Sequence, residues 1–366
     1  MSSVTPSPDL ELAQQHDAAG RHDDAINALA LGTKAGNLPC MRQLGKRLLT
    51  GDRAPLLAAE GASFLLDAAN QGDAEAAARI AALTALGAYR TQSWRDALRW
   101  LGLAAQHGWQ PAREQLLALL EDAAPTAGSE ALTALLSRHW PALAAQIDAA
   151  TWQISPAGRD LSAVPRVRAF ENFISAAACR WLIEQARGRL VRARVYDAVS
   201  GTDLVSETRS NTVANFNLAE VEVLHVLLQA RMSAACGIPM GNMEAPAVLH
   251  YDVGEQITDH FDFVDPGTPD YAGELARNGQ RLVTFLVYLN DQYEGGETGF
   301  PKLGFSHKGR LGEGLYFVNA LADMQPDLRM LHTGRPPTRG DKWIVSQFIR
   351  SRASLTTAPA AARIAR

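Results

Sequence analysis

Hydrophobic and polar positions along the chain follow two different rhythms. Through residues 1–150 a long register dominates: Gly36, Gly72 and Gly108 stand 36 residues apart. Leu29, Leu65 and Leu101 share that register, as do Leu44, Ile80 and Leu116. Small residues share it too, Ala25 with Gly61 and Ala97, then Cys40 with Ala76 and Ala112. A fixed period of this size predicts helical hairpins, each a helix, a glycine-containing turn and a second helix. The leucines would face a shared core, and the small residues would let neighbouring helices approach closely. Composition supports this reading, with 36 alanines in residues 1–150 against 19 in residues 163–352. Alanine is the best helix former and is depleted in strands.

Residues 129–148 read as a further helix capping the stack, and residues 151–164, rich in Pro, Gly and Ser, as a linker. Beyond residue 164 the texture changes. Helices are expected at 175–188, capped by Ser175, and around 218–235. From residue 246 the apolar runs shorten and fill with Val, Phe and Tyr: AVLHYDV, RLVTFLVYLN, GLYFVNA, RMLHT and DKWIVSQFIR. Glycine, proline and aspartate separate them, as strands joined by turns require. The expected division is helical repeats over 10–150, the linker over 151–164, an all-β domain with helices ahead of it over 165–352, and a flexible tail over 353–366.

Charge and composition narrow the function classes. The net charge of −4 gives no chain-wide footprint for nucleic acid. Cys40, Cys179 and Cys236 lie far apart with no CxxC, which excludes a disulfide scaffold or a cysteine-rich zinc module and fits a reducing compartment. The first residues carry no signal-peptide pattern, and no apolar stretch reaches membrane-spanning length. The expectation is a soluble cytoplasmic protein without nucleic-acid or membrane partners.

Candidate chemistry sits in the strand-rich region. In His260-Phe261-Asp262 a strand would turn residues i and i+2 to one face, bringing an imidazole and a carboxylate together. With a second histidine, these make the two-histidine, one-carboxylate set that holds non-haem Fe(II). The same H-x-D spacing at His22-Asp23-Asp24 stands at the polar start of a repeat helix and is assigned no role. The second copy differs in its company: Gly295-Gly296-Glu297-Thr298, then His332 at the end of an expected strand, then Lys342 opening the next.

Those pieces resemble a known family. HYDVGEQITDHFDF, GQRLVTFLVYLND, GGETGFP, GEGLYFVNA, DLRMLHTG and GDKWIVSQFIR look, in order, like the catalytic core of the prolyl 4-hydroxylase family of 2-oxoglutarate/Fe(II) dioxygenases. The similarity begins near Pro165, where VPRVRAFENFISAAACRWLIEQA resembles the family's opening strand and helix. The resemblance implies a double-stranded β-helix (jelly roll) with iron at one open end, held by His260, Asp262 and His332. It implies Lys342 as the cation for the distal carboxylate of 2-oxoglutarate, with Tyr251 and Thr298 as its hydrogen-bonding neighbours and Arg281 on the substrate side. Fe(II), 2-oxoglutarate and O2 are the implied cofactor and co-substrates, ascorbate the reductant, and succinate and CO2 the co-products. The intact carboxylate of Asp262 favours hydroxylation over halogenation, in which halide takes the carboxylate's place. In the first half, AANQGDAEAAARIA and AAQHGWQPAREQL resemble Sel1-like repeats, relatives of the tetratricopeptide class, over residues 20–122.

Two positions depart from the peptidyl-prolyl pattern. Ile257 stands where a tyrosine commonly precedes the first ligand, and Phe348 where a tryptophan is common. Both belong to the substrate side and leave the iron chemistry intact. Three functions follow: hydroxylation of a peptide or protein with the repeats presenting it, the same chemistry on a small molecule such as a free or carrier-bound amino acid, or a repeat-based adaptor with an inactive oxygenase half. The repeats could equally hold a separate protein partner.

Overall fold

The computed structural model describes residues 8–123, 139–197, 202–204 and 208–353. They form two compact units, one of residues 8–148 with Asn217–Val226, the other of Ala149–Phe216 with residues 227–353. Of the helix expected over 129–148, residues 129–138 lie outside the described residues, and Trp140–Ala144 is a short helix. All but the first residue of the tail also lies outside them.

The first unit is a stack of helices: α1 (Pro8–Ala18), α2 (His22–Lys34), α3 (Leu38–Thr50), α4 (Ala58–Asn70), α5 (Ala74–Leu86), α6 (Trp94–Gln106) and α7 (Gln110–Ala123). The 36-residue register maps onto the pairs α2–α3, α4–α5 and α6–α7. Gly36, Gly72 and Gly108 fill the turn inside each pair at φ of 81°, 94° and 98°. Only glycine enters that region freely, which accounts for the strictest column of the repeat. Asn37 and Asp73 then cap the second helices, their side chains accepting from the backbone N–H of Cys40 (2.9 Å) and Ala76 (2.8 Å). Leu29, Leu65, Leu101, Ile80 and Leu116 are fully buried. Within this same unit Arg79 donates to the carbonyls of Ala219 (3.1 Å) and Val221 (3.0 Å) and pairs with Glu222, which fixes the Asn217–Val226 segment.

One small column carries more weight in the middle repeat than in its neighbours. A Cβ on Gly61 would come within 2.5 Å of the Leu49 amide nitrogen and 2.6 Å of the Gly45 carbonyl oxygen. Helices α3 and α4 therefore touch backbone to backbone, and backbone atoms cannot swing aside as a side-chain tip can. Ala25 and Ala97 occupy the equivalent positions. Alanine outranks glycine in helix propensity by about 1 kcal/mol. Even so, Gly61→Ala is expected to destabilise this unit by about 1–3 kcal/mol, the usual range for overpacking. Urea unfolding followed by circular dichroism would read that as a lower midpoint; a raised midpoint would refute the close approach.

The second unit is built around two large antiparallel sheets, with two-stranded ribbons pairing Glu294–Gly295 with Pro337–Arg339 and Val195–Asp197 with Thr202–Leu204. The larger has eight strands in the spatial order Arg159–Ser162, Val167–Phe170, Gly314–Val318, Arg281–Tyr288, Lys342–Arg350, Ala247–Tyr251, Thr212–Asn215 and Val191–Arg192. The smaller has four, Phe305–His307, Thr298–Phe300, His332–Gly334 and Ile257–His260. Leu249, Leu286, Leu315 and Phe317 of the larger sheet share one core with Phe300 of the smaller. This is the expected double-stranded β-helix, preceded by the helix Ala176–Arg187, with Ser175 accepting from the Ala178 N–H at 3.1 Å. The helix expected around 218–235 spans Val223–Cys236.

The structure differs from the sequence reading in three places. Besides the opening strand near Pro165, Val191–Arg192 and Thr212–Asn215 are strands ahead of residue 246, and Arg159–Ser162, inside the stretch read as a linker, pairs with Val167–Phe170 as an edge strand. His332 opens its strand instead of ending one, because Leu328–Met330 closes into a 3-10 turn. Asp262 lies two residues past the end of Ile257–His260, outside the paired strand, although its carboxylate still converges with the His260 imidazole.

Candidate active site

The smaller sheet sets two histidines side by side, since His332 is the direct cross-strand partner of His260. Their rings lie 4.2 Å apart. The Asp262 carboxylate closes the group, with Oδ1 3.5 Å from His260 Nε2 and Oδ2 3.1 Å from His332 Nε2. One ligand atom from each residue falls within 4.8 Å of the others. Both Nδ1 atoms face backbone carbonyls, His260 that of Thr258 (2.8 Å) and His332 that of Met330 (3.0 Å). A proton held there leaves each Nε2 lone pair free, the arrangement by which outer partners orient metal-ligating histidines.

The electrostatics match the geometry. Burial alone would raise the Asp262 carboxyl, but the neighbouring imidazoles outweigh it and hold the group well below the usual carboxylate range. Burial likewise works against a charged His332, and the Asp262 carboxylate overcomes it, lifting that imidazole above its ordinary value. Two imidazoles gathered around one ionised carboxylate attract positive charge, which suits a divalent cation.

Lys342 stands on the larger sheet as the cross-strand partner of Tyr251. It is 1% exposed, with Nζ 5.0 Å from the Tyr251 ring centroid and 5.8 Å from that of Tyr288. Among the described residues no carboxylate pairs with it. Burial pulls its ammonium down to about pKa 7, opposed only by the charge of Glu297. Thr298, also buried, shares a 2.9 Å hydrogen bond with the Tyr288 hydroxyl. Burial holds the phenols of Tyr251 and Tyr288 protonated, above their ordinary range. The result is a buried lysine with no carboxylate partner among the described residues, set beside the rings of Tyr251 and Tyr288.

His260, Asp262, His332, Lys342, Tyr251 and Thr298 all line one cavity of about 980 Å³. Arg281 lines it as well, but its guanidinium is engaged: Nε and Nη2 reach the two carboxylate oxygens of Glu244 at 2.7 and 3.0 Å. The guanidinium lies 3.7 Å from the Phe348 ring centroid, so it braces a wall of the cavity. Glu244 also accepts from Arg350 Nε at 2.5 Å. Ile257 and Phe348, the two positions that depart from the peptidyl-prolyl pattern, both line the cavity.

Sequence reasoning missed Thr284, Asn319 and Glu244. Thr284 Oγ1 donates to Asp262 Oδ2 at 2.7 Å and accepts from Asn319 Nδ2 at 2.9 Å. The signal for Thr284 was a polar residue inside the apolar run LVTFLVY. Asn319 and Glu244 sit at strand margins, where polar residues are ordinary. His250 and His307, which lie near these residues in sequence, are committed elsewhere: His250 contacts Thr212 Oγ1 and Asp341 Oδ2 (3.2 Å each), and His307 lies 3.0 Å from Glu313.

A two-sheet barrel with two histidines and a carboxylate at its open end defines a class, the non-haem iron oxygenases, and comparison with known proteins gives the same class. The 2OG-Fe(II) oxygenase superfamily matches residues 246–350. A probable prolyl 4-hydroxylase 3 of Arabidopsis thaliana is 32% identical over 209 residues, covering 52% of this chain and 70% of that protein. The prolyl 4-hydroxylase subunit alpha-1 of Rattus norvegicus is 30% identical over 188 residues, covering 51% of this chain and 35% of that protein. A solved viral collagen prolyl hydroxylase from Paramecium Bursaria Chlorella virus-1, in a 2OG complex, is 25% identical with a TM-score of 0.40, covering 51% of this chain and 96% of that one. A Sel1 repeat protein from Oxalobacter formigenes is 20% identical with a TM-score of 0.30, covering 40% and 60%. The chain belongs to the prolyl 4-hydroxylase family and is a 2-oxoglutarate-dependent dioxygenase.

The residues present fit the cofactor and co-substrate that family implies. Imidazole nitrogen and carboxylate oxygen suit Fe(II), and three protein donors leave coordination positions open. The unpaired Lys342 suits the carboxylate of a dicarboxylic acid. Among the described residues, no helix is long and apolar enough to cross a membrane.

Proposed function

We propose that this protein hydroxylates a side chain of a peptide or protein, consuming 2-oxoglutarate and O2 and releasing succinate and CO2, with ascorbate as reductant. The observation that carries this reading is the pairing, in one cavity, of the His260–Asp262–His332 donor set with the buried, unpaired Lys342. His260, Asp262 and His332 would hold Fe(II), which supplies the oxidising chemistry for an unactivated C–H bond when co-substrate and O2 are bound. The chain's own residues do the rest. Lys342 anchors the distal carboxylate of 2-oxoglutarate by a charge-assisted hydrogen bond, and Tyr251 and Thr298 present hydroxyl groups to the same carboxylate. Apolar walls from Leu249, Leu286 and Phe317 keep water from that end of the cavity. Arg281, fixed by Glu244, holds the Phe348 ring against the target side.

The peptide assignment follows the relatives, which are named prolyl 4-hydroxylases. The helical hairpins support it, because stacked repeats form extended surfaces suited to peptides. A small-molecule target is the second reading, favoured by one observation: Ile257, an aliphatic residue, lines the cavity and offers no hydrogen bond to a peptide backbone. The test is mass spectrometry of cell proteins and metabolites after incubation with the active enzyme or with His260→Ala. Gain of one oxygen atom on a protein residue only with the active enzyme is the expected result. The same gain confined to a metabolite would overturn the peptide assignment. Absence of succinate release with Fe(II), 2-oxoglutarate and ascorbate would overturn the chemistry.

A further inference from the structure

Asp262 reaches the donor cluster from just outside the paired strand Ile257–His260, so no ladder register fixes the rotation of its carboxylate. The candidate is a buried chain of hydrogen bonds running away from the cavity. Thr284 Oγ1 lies 2.7 Å from Asp262 Oδ2, and Asn319 Nδ2 lies 2.9 Å from Thr284 Oγ1. Thr284 and Asn319 are each 1% exposed. Both belong to the larger sheet's side of the core: Thr284 is on the strand Arg281–Tyr288, and Asn319 directly follows the strand Gly314–Val318. The Asn319 backbone N–H is pinned to the Leu282 carbonyl at 2.8 Å.

The polarity of this chain is determined by counting protons. A threonine hydroxyl has one hydrogen and two lone pairs, an ionised carboxylate only accepts, and a primary amide nitrogen only donates. With Asn319 donating into its lone pair, the Thr284 hydroxyl must spend its hydrogen on Asp262 Oδ2. The amide oxygen of Asn319 has no hydrogen-bond partner among the described residues. Among the described residues, Thr284 is therefore the one side-chain hydrogen-bond partner of this amide group.

We propose that Thr284 and Asn319 are positioning residues that fix the rotation of the Asp262 carboxylate by holding its Oδ2. A carboxylate free to rotate can chelate a cation with both oxygens and fill a coordination position that co-substrate or O2 needs. One fixed oxygen leaves that position open. The inference rests on Asp262 as a metal ligand, and it adds what sets the rotation of its carboxylate.

Cobalt(II) serves as the probe, because its visible absorption reports coordination without turnover. The full chain is titrated with Co(II) as wild type, Thr284→Val, Thr284→Ser and Asn319→Leu, and the melting temperature of each metal-free protein is measured alongside. Valine matches threonine in shape and lacks the hydroxyl. The expected result is Co(II) affinity about 10–100-fold weaker in Thr284→Val, the range typical of lost outer partners. Its absorption envelope should shift, Asn319→Leu should fall between it and wild type, and Thr284→Ser should return to within about threefold of wild type. Unchanged affinity and spectrum in both Thr284→Val and Asn319→Leu overturn the relay alone. So does a loss of affinity that merely tracks a loss of melting temperature, since that marks a packing role. Should Thr284→Val fail to fold, Asn319→Leu and Thr284→Ser decide the matter by the same readings. Failure of the wild type to take up Co(II) overturns the ligand assignment itself, and the relay with it.

Discussion

Asp262→Ala loses tight metal binding and all substrate-coupled turnover while keeping its fold. The argument starts from charge. Asp262 is the one anion among three donors, and both imidazoles lie within 3.5 Å of its oxygens. Its removal leaves two neutral nitrogen donors in a buried site, which hold a hard divalent cation poorly. Outer partners of metal ligands typically cost about 10–100-fold in affinity when removed, so loss of a ligand should exceed that range. The fold should survive because Asp262 lies outside the strands and alanine fits the space it leaves. Calorimetric titration with Fe(II) under anaerobic conditions, with succinate release measured in parallel, checks both halves. Metal affinity within tenfold of wild type would remove Asp262 from the ligand set.

How far this site could be read from sequence depends on the range of the interaction concerned. The glycine column at Gly36, Gly72 and Gly108 was legible because a left-handed turn restricts the residue locally, and a repeat prints that restriction three times. His260 and Asp262 were legible because a single residue separates them, and His332 because its neighbours match a family pattern. The Thr284–Asn319 chain was not, since 35 residues separate its members and each is an ordinary polar residue in its own segment. Nor could sequence show that Arg281 is engaged by Glu244, whose carboxylate arrives from 37 residues upstream. The Gly61 contact shows a related limit: the register marks a small-residue position, but only the helix crossing shows that alanine is too large there.

Lys342→Met weakens 2-oxoglutarate binding and removes its pH dependence. A hydrogen bond to a charged group contributes about 1.5–3 kcal/mol, which corresponds to about 10- to 150-fold in affinity. Methionine fills a similar volume without the charge, so the loss should appear in the 2-oxoglutarate KM far more than in metal affinity. The pH profile is the sharper test. Burial brings the Lys342 ammonium down to about pKa 7, so above that pH the free enzyme increasingly holds a neutral amine. Only the ammonium pairs with a carboxylate, and binding must then take up a proton. Affinity should therefore fall as pH rises, by about tenfold between pH 6 and pH 8. Stability of the ligand-free protein should move the opposite way. Between about pH 7 and the ordinary lysine value of 10.5 the unfolded chain binds more protons at this residue than the folded one, so this contribution to folding stability increases with pH. Two opposed slopes from one amine are hard to imitate by general surface charge, which would tilt binding and stability without regard to residue 342. In Lys342→Met both slopes should disappear together. If the affinity slope persists in that variant, the carboxylate is held by another cation, and Arg335 and Arg339, the cations that flank the turn before Lys342, become the candidates.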